Sequence, residues 1–322
     1  MRRARAIFVP LNWRLSIVEL RSAVDDCRPS LLVHEPSLAH ELGIPAFVLD
    51  AGWELAVREA AAVAWGDVDD ADPWCIVYTS GTTGTPKGVV ISHSSARATM
   101  LSVVVASRIT AETVLLTVLP YGGVNLFTNP TLFMGGTVVL LRDFEPARAL
   151  AILLERDITH VCGVPAIFKF MQALPAWSSK RFDGLRIMIG GAPVTDGLIQ
   201  AWMDRGARPR TVYGISEAGA AVLMVPDGEA ESHLGTVGQP LMHVRIRILD
   251  KEGEEVPAGT VGQLFIAGPS ETPGYWGSPD LTTRSIVNCW RARRPLGRGR
   301  ARVHRRPERP RAVGRWPACL RT

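Results

Sequence analysis

The chain has 322 residues, 47% hydrophobic and 21% charged, a balance that excludes a disordered polypeptide and leaves room for two or three subdomains. Its net charge of +5 joins two unlike parts: residues 288–322 hold twelve arginines against the single acid Glu308, while residues 1–287 hold 24 basic and 30 acidic side chains. No apolar run has the length of a membrane span, the apolar stretch after Met1-Arg2-Arg3-Ala4-Arg5 is too short for a signal peptide, and five scattered cysteines form no C-x-x-C pair. A reducing cytoplasm is therefore expected, with Cys27, Cys75 and Cys162 as buried thiols.

In chain order, Ala6–Asn12 reads as a strand running into a turn, and Ser16 with Glu19 as a capping box for a helix through Val24. Ser30–His34 and Ala46–Asp50 read as strands around a short helix opened by Pro36-Ser37. Ala51–Asp72 is expected to hold an alanine-rich helix and then an acidic linker. After two strands at 73–78 and 88–92, Ser94-Ser95 is expected to cap a helix to about Ser107. Strands at 113–118, 136–141, 159–164, 185–189 and 210–213, with a helix at 146–156, predict βα units in a parallel sheet. Residues 244–249 alternate at period two and 262–266 follow a turn, which predicts a small, largely antiparallel β unit.

Between the strands at 73–78 and 88–92 lies the most informative stretch, Tyr78-Thr79-Ser80-Gly81-Thr82-Thr83-Gly84-Thr85-Pro86-Lys87-Gly88-Val89. Its glycines let backbone N–H groups close on an anion, its hydroxyls add donors, and Lys87 supplies a point charge, with no acid inside the loop. An ordinary turn explains any three of these residues but not the whole. A Walker loop does not fit, because Pro86 stands in place of a glycine, Gly88 in place of the metal-binding hydroxyl, and a strand rather than a helix follows. Gly190-Gly191-Ala192-Pro193 and Tyr213-Gly214-Ile215-Ser216-Glu217 each follow a strand end, where a flat ligand can approach glycine backbone and a glutamate can meet a hard cation.

Together, and in this order, the three segments resemble the adenylate-forming enzymes: acyl-CoA synthetases, peptide-synthetase adenylation domains and luciferases. Gly163-Val164-Pro165-Ala166-Ile167-Phe168 resembles that family's corner beside the acyl pocket, and Gly268-Pro269 with Gly274-Tyr275-Trp276 the segment closing its large domain. The resemblance implies an α/β large domain of two βα-layered subdomains over residues 1–240, a small β-barrel-like subdomain over 241–287, and a tail from 288. It implies ATP, Mg²⁺, CoA and a small carboxylic acid as reactants, and neither specific nucleic acid binding nor a transmembrane segment. By the same resemblance Thr79, Ser80, Gly81, Thr82, Thr83 and Gly84 hold phosphates and Lys87 adds charge beside them. Gly191, Ala192, Pro193, Tyr213 and Gly214 frame adenine, Ser216 meets the phosphate, and Glu217, with Thr79, serves Mg²⁺. Tyr121, Gly122, Val124, Val164 and Pro165 form the acid pocket.

Two departures from the family's pattern carry weight. Leu119–Asn125 is short and lacks the usual histidine, with Tyr121 standing in for the aromatic and an apolar lining that favours a fatty acid over an amino acid. Aryl acids and a non-catalytic nucleotide-binding remnant are the alternatives. The start of the first subdomain is expected to be missing, which leaves a sheet edge or apolar face uncovered. After Trp290 an arginine-proline run replaces the family's Gly-Asp segment, hinge and small C-terminal domain. That run reads either as a basic nucleic-acid arm or, preferred, as out-of-frame translation: Arg293-Arg294-Pro295 written CGG-CGA-CCT gives Gly-Asp one base on. Such a chain is expected to turn over weakly or not at all.

Overall fold

The computed structural model describes residues 6–38, 42–61, 66–79, 86–119, 126–287 and 290–292. Helix α1 (Ile17–Cys27) begins at the expected Ser16–Glu19 capping box, with Ser16 N–H donating to the Glu19 carboxylate at 2.9 Å. Strands β1 (Leu32–His34) and β2 (Ala46–Val48) pair in parallel, joined by a 3₁₀ turn at Pro36–Leu38 and followed by α2 (Ala51–Glu59). Helix α2 starts at Ala51, capped by Asp50 through the Trp53 N–H, and ends at Glu59 where Ala60 turns extended; residues 62–65 of the alanine-rich part lie outside the described residues. Leu31, Val33, Phe47, Leu55 and Val57 of this small unit are exposed. Ala6–Asn12 is not a full strand; Phe8 alone makes a parallel bridge, to Cys75.

Strands β3 (Pro73–Thr79) and β4 (Lys87–Ser92) form an antiparallel hairpin whose last pair is Thr79 with Lys87. Helix α3 (His93–Ser107) follows without a break, capped by Ser92 rather than by Ser94 or Ser95. Ser92 Oγ accepts from the Ser95 N–H while Ser95 Oγ accepts from the Ser92 N–H, so the serine pair completes a box one turn earlier than its spacing suggested. The chain then builds β5 (Val114–Thr117), α4 (Thr128–Phe133), β6 (Thr137–Leu140), α5 (Pro146–Glu155), β7 (His160–Gly163), α6 (Pro165–Gln172), β8 (Arg186–Gly190), α7 (Asp196–Asp204) and β9 (Arg208–Tyr213). These five strands are parallel in the order β6-β5-β7-β8-β9. Strands β10 (Leu223–Met224) and β11 (Gln239–Pro240) extend the β9 side antiparallel to a seven-stranded sheet.

Both faces of the central strands β5, β7 and β8 are covered, which is why their interiors read as apolar runs rather than alternating ones, whereas the outer strands β6 and β9 are exposed or carry arginines. Leu116, Val161, Ile187 and Ile189 pack towards α5, α6 and α7, whereas Leu115, Met188 and Val212 pack towards α3 and α4. The first core centres on Trp202, fully buried, with Phe182 at 4.9 Å and Phe168 edge-on at 5.7 Å between ring centroids. Beyond the large sheet, β12 (Arg245–Leu249), β13 (Gln263–Ala267), β14 (Ile286–Val287) and β15 (Trp290–Ala292) make a four-stranded antiparallel sheet, with α8 (Pro279–Ser285) leading into β14. That sheet runs past the limit expected at residue 287, because β15 pairs with both β13 and β14. The arginine run from residue 293 lies outside the described residues. Cys75 is buried, and desolvation pushes its thiol up to about 12; Cys27 and Cys162 are partly covered rather than fully buried. No helix among the described residues is long and apolar enough to cross a membrane.

Charge gathers at the amino-terminal edge of the parallel strands. Asp227, its side chain 5% exposed, takes Arg108 Nε at 2.9 Å, Arg186 Nε at 3.4 Å and Arg208 Nη1 at 3.7 Å. Arg210 is buried beside them and donates from Nη1 to the Ala106 carbonyl at 2.7 Å. Burial pulls its guanidinium down to about 10, with Arg186 and Arg108 adding to the fall and Asp227 opposing it. Replacing Asp227 by asparagine strips four guanidiniums of their common counter-charge. We expect Asp227→Asn to cost about 2–4 kcal/mol in urea unfolding, below the full buried-pair range because Arg108 and Arg208 reach solvent.

His160 lies against the same cluster, its Nε2–H donating to the Ser107 carbonyl at 2.9 Å. Desolvation first, then Arg186 and Arg210, hold its imidazole below the ordinary 6.5, against the pull of Ser107 and Asp227. Just below 6.5 the unfolded chain therefore binds more protons than the native one, so His160's contribution is complete above 6.5 and is lost as pH falls. The drop in urea stability between about pH 7.5 and 5.5 is expected to shrink in His160→Gln relative to the unaltered chain.

Candidate functional site

The strand order places a reversal between β5 and β7: the crossover from β5 leads to β6 on one side, and the one from β7 leads to β8 on the other. In open parallel sheets a crevice opens at such a reversal, outside the carboxyl ends of the strands. Leu115, Thr117, Leu119, Leu126, Phe127 and Cys162 line a small, mostly apolar cavity there. Tyr121, Gly122 and Val124 fall in the adjoining stretch 120–125, outside the described residues.

Three expected segments meet along this edge. Gly163 ends β7, Val164 follows in extended conformation, and Pro165 opens α6 at the position where a missing N–H costs nothing. Gly190 ends β8 opposite Val212, so Gly191 and Tyr213 are the next residues on adjoining strands. Gly190 admits no side chain, since a Cβ there would stand 2.4 Å from the Val212 carbonyl oxygen. Gly191 turns with φ +78° and lies 3.4 Å, measured from an added Cβ, from Val164 Cγ1. Val164, Gly191 and the half-buried Tyr213 therefore share one edge, with Ala192 and Pro193 exposed beside them.

Beyond Tyr213 the chain coils tightly. Ala220 N–H donates to the Ile215 carbonyl at 2.8 Å and Val222 N–H to the Tyr213 carbonyl at 2.8 Å, closing residues 214–221 into a loop between β9 and β10. Gly214 is required inside it, because a Cβ would fall 2.0 Å from the Ala220 carbonyl oxygen. The loop carries Ser216 and Glu217 on a 3₁₀ turn, Ser216–Ala218, that packs against β4. Glu217 Oε1 accepts the Tyr275 hydroxyl at 2.8 Å, a partner that sequence reasoning did not supply. Gly274-Tyr275-Trp276 drew notice as a family segment, yet nothing in its composition points to a glutamate 58 residues upstream.

The hairpin reaches the site from another direction. Thr79 and Lys87 face each other, half-buried, at its mouth; Ser80, Gly81, Thr82, Thr83 and Gly84 lie outside the described residues. Tyr78, read as the first residue of the anion loop, points elsewhere: its hydroxyl donates to Asp26 Oδ2 at 2.6 Å and fastens the end of α1 to the hairpin. Burial and that bond hold the phenol well above its ordinary range. No group of three or more His, Cys, Asp or Glu side chains gathers among the described residues. A single carboxylate with one oxygen tied down suits a hard cation that draws most of its ligands from a bound polyphosphate, so Glu217 fits a magnesium ion carried in with a nucleotide.

Known proteins place this geometry. The chain is 33% identical over 300 residues to a feruloyl-CoA synthase from Amycolatopsis sp, a match covering 89% of this chain and 60% of that protein. It is 30% identical over 308 residues to an indoleacetate–CoA ligase from Aromatoleum aromaticum, with the same coverage of 89% and 60%. The crystal structure of ATP-bound MatB from Rhodopseudomonas palustris superposes with a TM-score of 0.78 at 26% identity, over 90% of this chain and 61% of that one. The chain thus spans about 60% of the length of these relatives. Residues 2–276 match the family described as AMP-binding enzyme, and on that match the chain belongs to the AMP-binding, adenylate-forming family.

Proposed function

We propose that this chain supplies the nucleotide- and acid-binding part of an ATP-dependent acid–CoA ligase. The observation that carries the reading is the meeting of three strand ends, at Val164, Gly191 and Tyr213, with a Glu217 turn packed on the hairpin that holds Thr79 and Lys87. Gly191, Ala192, Pro193, Tyr213 and Gly214 bound the adenine. The loop from Thr79 to Gly84 and the Ser216 hydroxyl take phosphate oxygens, with Lys87 as a point charge beside them. Glu217, with Thr79, faces the magnesium that, when bound, offsets charge on the outer phosphates. Val164, Pro165, Tyr121, Gly122 and Val124 receive the acid.

In the first half-reaction a carboxylate oxygen attacks the α-phosphorus, the bond to the bridging α–β oxygen breaks, and acyl-AMP and pyrophosphate form. In the second, a CoA thiolate attacks the acyl carbonyl, the carbonyl carbon–phosphate oxygen bond breaks, and AMP leaves. The contribution of this chain is position and a fixed field: it holds carboxylate and phosphate in line and sets donors where charge accumulates. The acid is apolar, in keeping with Leu115, Leu119, Leu126 and Phe127 around the cavity at the strand reversal. The feruloyl and indoleacetate relatives favour an aryl acid over the fatty acid first expected from the sequence.

Calorimetric titration tests this without requiring turnover. Mg·ATP is expected to bind the purified chain, with at least tenfold weaker affinity in Lys87→Ala and in Glu217→Gln. A sulfamoyl adenosine carrying a feruloyl group, a stable mimic of the acyl adenylate, is expected to bind at least a hundredfold tighter than ATP and tighter than its decanoyl counterpart. Absence of nucleotide binding, or binding indifferent to both substitutions, overturns the reading; a tighter decanoyl compound returns the substrate to fatty acids.

A further inference from the structure

Residues 272–276 touch both halves of the candidate site. Thr272 N–H donates to the backbone carbonyl of Glu217 at 2.9 Å. Two residues on, Val90 N–H donates to the Gly274 carbonyl at 3.0 Å and Trp276 N–H to the Gly88 carbonyl at 2.7 Å, on either side of an antiparallel bridge between Val89 and Tyr275. The segment thus adds a short third strand to the hairpin while holding the Glu217 turn. Its own shape is fixed from within and from α8. Buried Thr272 donates through Oγ1 to the Gly274 carbonyl at 2.7 Å and accepts the Gly274 N–H at 3.0 Å, and Tyr275 N–H donates to Thr282 Oγ1 at 3.0 Å.

A glutamate has three rotatable side-chain bonds, and ordering them costs on the order of 1–2 kcal/mol at each binding event. The Tyr275 hydroxyl removes most of that freedom beforehand by occupying Oε1, which leaves Oε2 as the oxygen presented to a ligand. The phenol is held by backbone pairing to β4, so the carboxylate is oriented against the same hairpin that carries Thr79 and Lys87. Groups behind a metal ligand commonly act in this way, fixing its direction and sharpening affinity.

We infer that Tyr275 is a positioning residue: through its 2.8 Å bond to Glu217 Oε1 it sets the carboxylate towards the metal-bound phosphates and couples that carboxylate to the phosphate hairpin. The inference rests on Glu217 facing Mg·ATP, and the experiment separates the two claims. ATP binding is titrated calorimetrically with excess Mg²⁺ and with excess EDTA, in the unaltered chain, Tyr275→Phe and Thr282→Val. Tyr275→Phe keeps the ring and removes only the hydroxyl. It is expected to weaken Mg·ATP five- to twentyfold and to raise the Mg²⁺ concentration for half-saturation, while metal-free ATP binding stays within twofold. A packing role would weaken both forms equally. Thr282→Val, which frees the Tyr275 N–H without touching the site, is expected to shift Mg·ATP affinity at least twofold in the same direction, and carries the test should Tyr275→Phe fail to fold. If the unaltered chain binds ATP no better with Mg²⁺ than without, the placement of Glu217 falls and the inference with it. If it does bind better, and the folded variants keep its metal dependence, the role of Tyr275 alone is overturned.

Discussion

The join on which the site depends is the backbone pairing of β4 with residues 274–276. The hairpin that carries Thr79 and Lys87 belongs to neither large sheet; β3 and β4 pair only with each other, with Phe8 and with Tyr275 among the described residues. Left to itself, a two-stranded hairpin is marginal in water. Here the Gly88 carbonyl and the Val90 N–H are satisfied by Trp276 and Gly274, and Val89, Ile91 and Ala96 form a small core with Cys75. Gly88 makes the approach possible: a Cβ there would lie 2.9 Å from Ile76 Cγ2 and 3.3 Å from Trp276 Cβ. A residue that reads as one more loop glycine is thus a packing requirement of the strand behind the loop.

The fold was legible where one constraint dominates. Parallel strands buried on both faces are largely apolar, so Val114–Thr117, and His160–Gly163 and Arg186–Gly190 after their polar first residues, stand out without any help from alternation. Ser16–Glu19 was legible because a capping box is local, and the antiparallel pairing of β12 with β13 because the period-two pattern and the turn lie in one stretch. One miss comes from competition between neighbouring signals. Three serines at 92–95 offer several caps, and the outcome is decided by where β4 ends, at the pairing of Ser92 with Pro73 of β3. Helix α2 starts at Ala51 as its Asp50 cap dictates, but its end at Glu59 is not marked by any stop signal in the alanine-rich stretch.

The site was legible as motifs and opaque as connections. Gly190-Gly191 and Tyr213–Glu217 could be singled out because each glycine answers to backbone only a few residues or one strand away: Val212 for Gly190, Ala220 for Gly214. The Tyr275–Glu217 and Tyr78–Asp26 bonds span 58 and 52 residues, and no local rule of spacing or propensity announces them. Side-chain partners at that separation are set by the topology that brings a late segment onto β4 and an early helix onto β3. A composition that marks the loop cannot also mark what steadies it.

The polarity of the parallel sheet explains why charge is sorted as it is. Helices α6 and α7 start at the carboxyl ends of β7 and β8, so their N-terminal N–H groups and the positive ends of their dipoles lie at the edge shared by Val164, Gly191 and Tyr213. The acids at this edge are Asp196, in the first turn of α7, and Glu217, on the turn beyond β9, while the Thr79–Lys87 mouth adds the charge of Lys87. At the opposite edge the helices end, and Arg108 sits as the left-handed cap of α3 beside Arg186 and Arg208 at strand starts. Cations suit helix carbonyl ends, but several side by side repel, and burial makes the repulsion worse. Asp227 resolves this by lending one oxygen to three arginines. One sheet direction thus gathers the strand-start arginines around a buried carboxylate at one edge and the helix N-termini at the other.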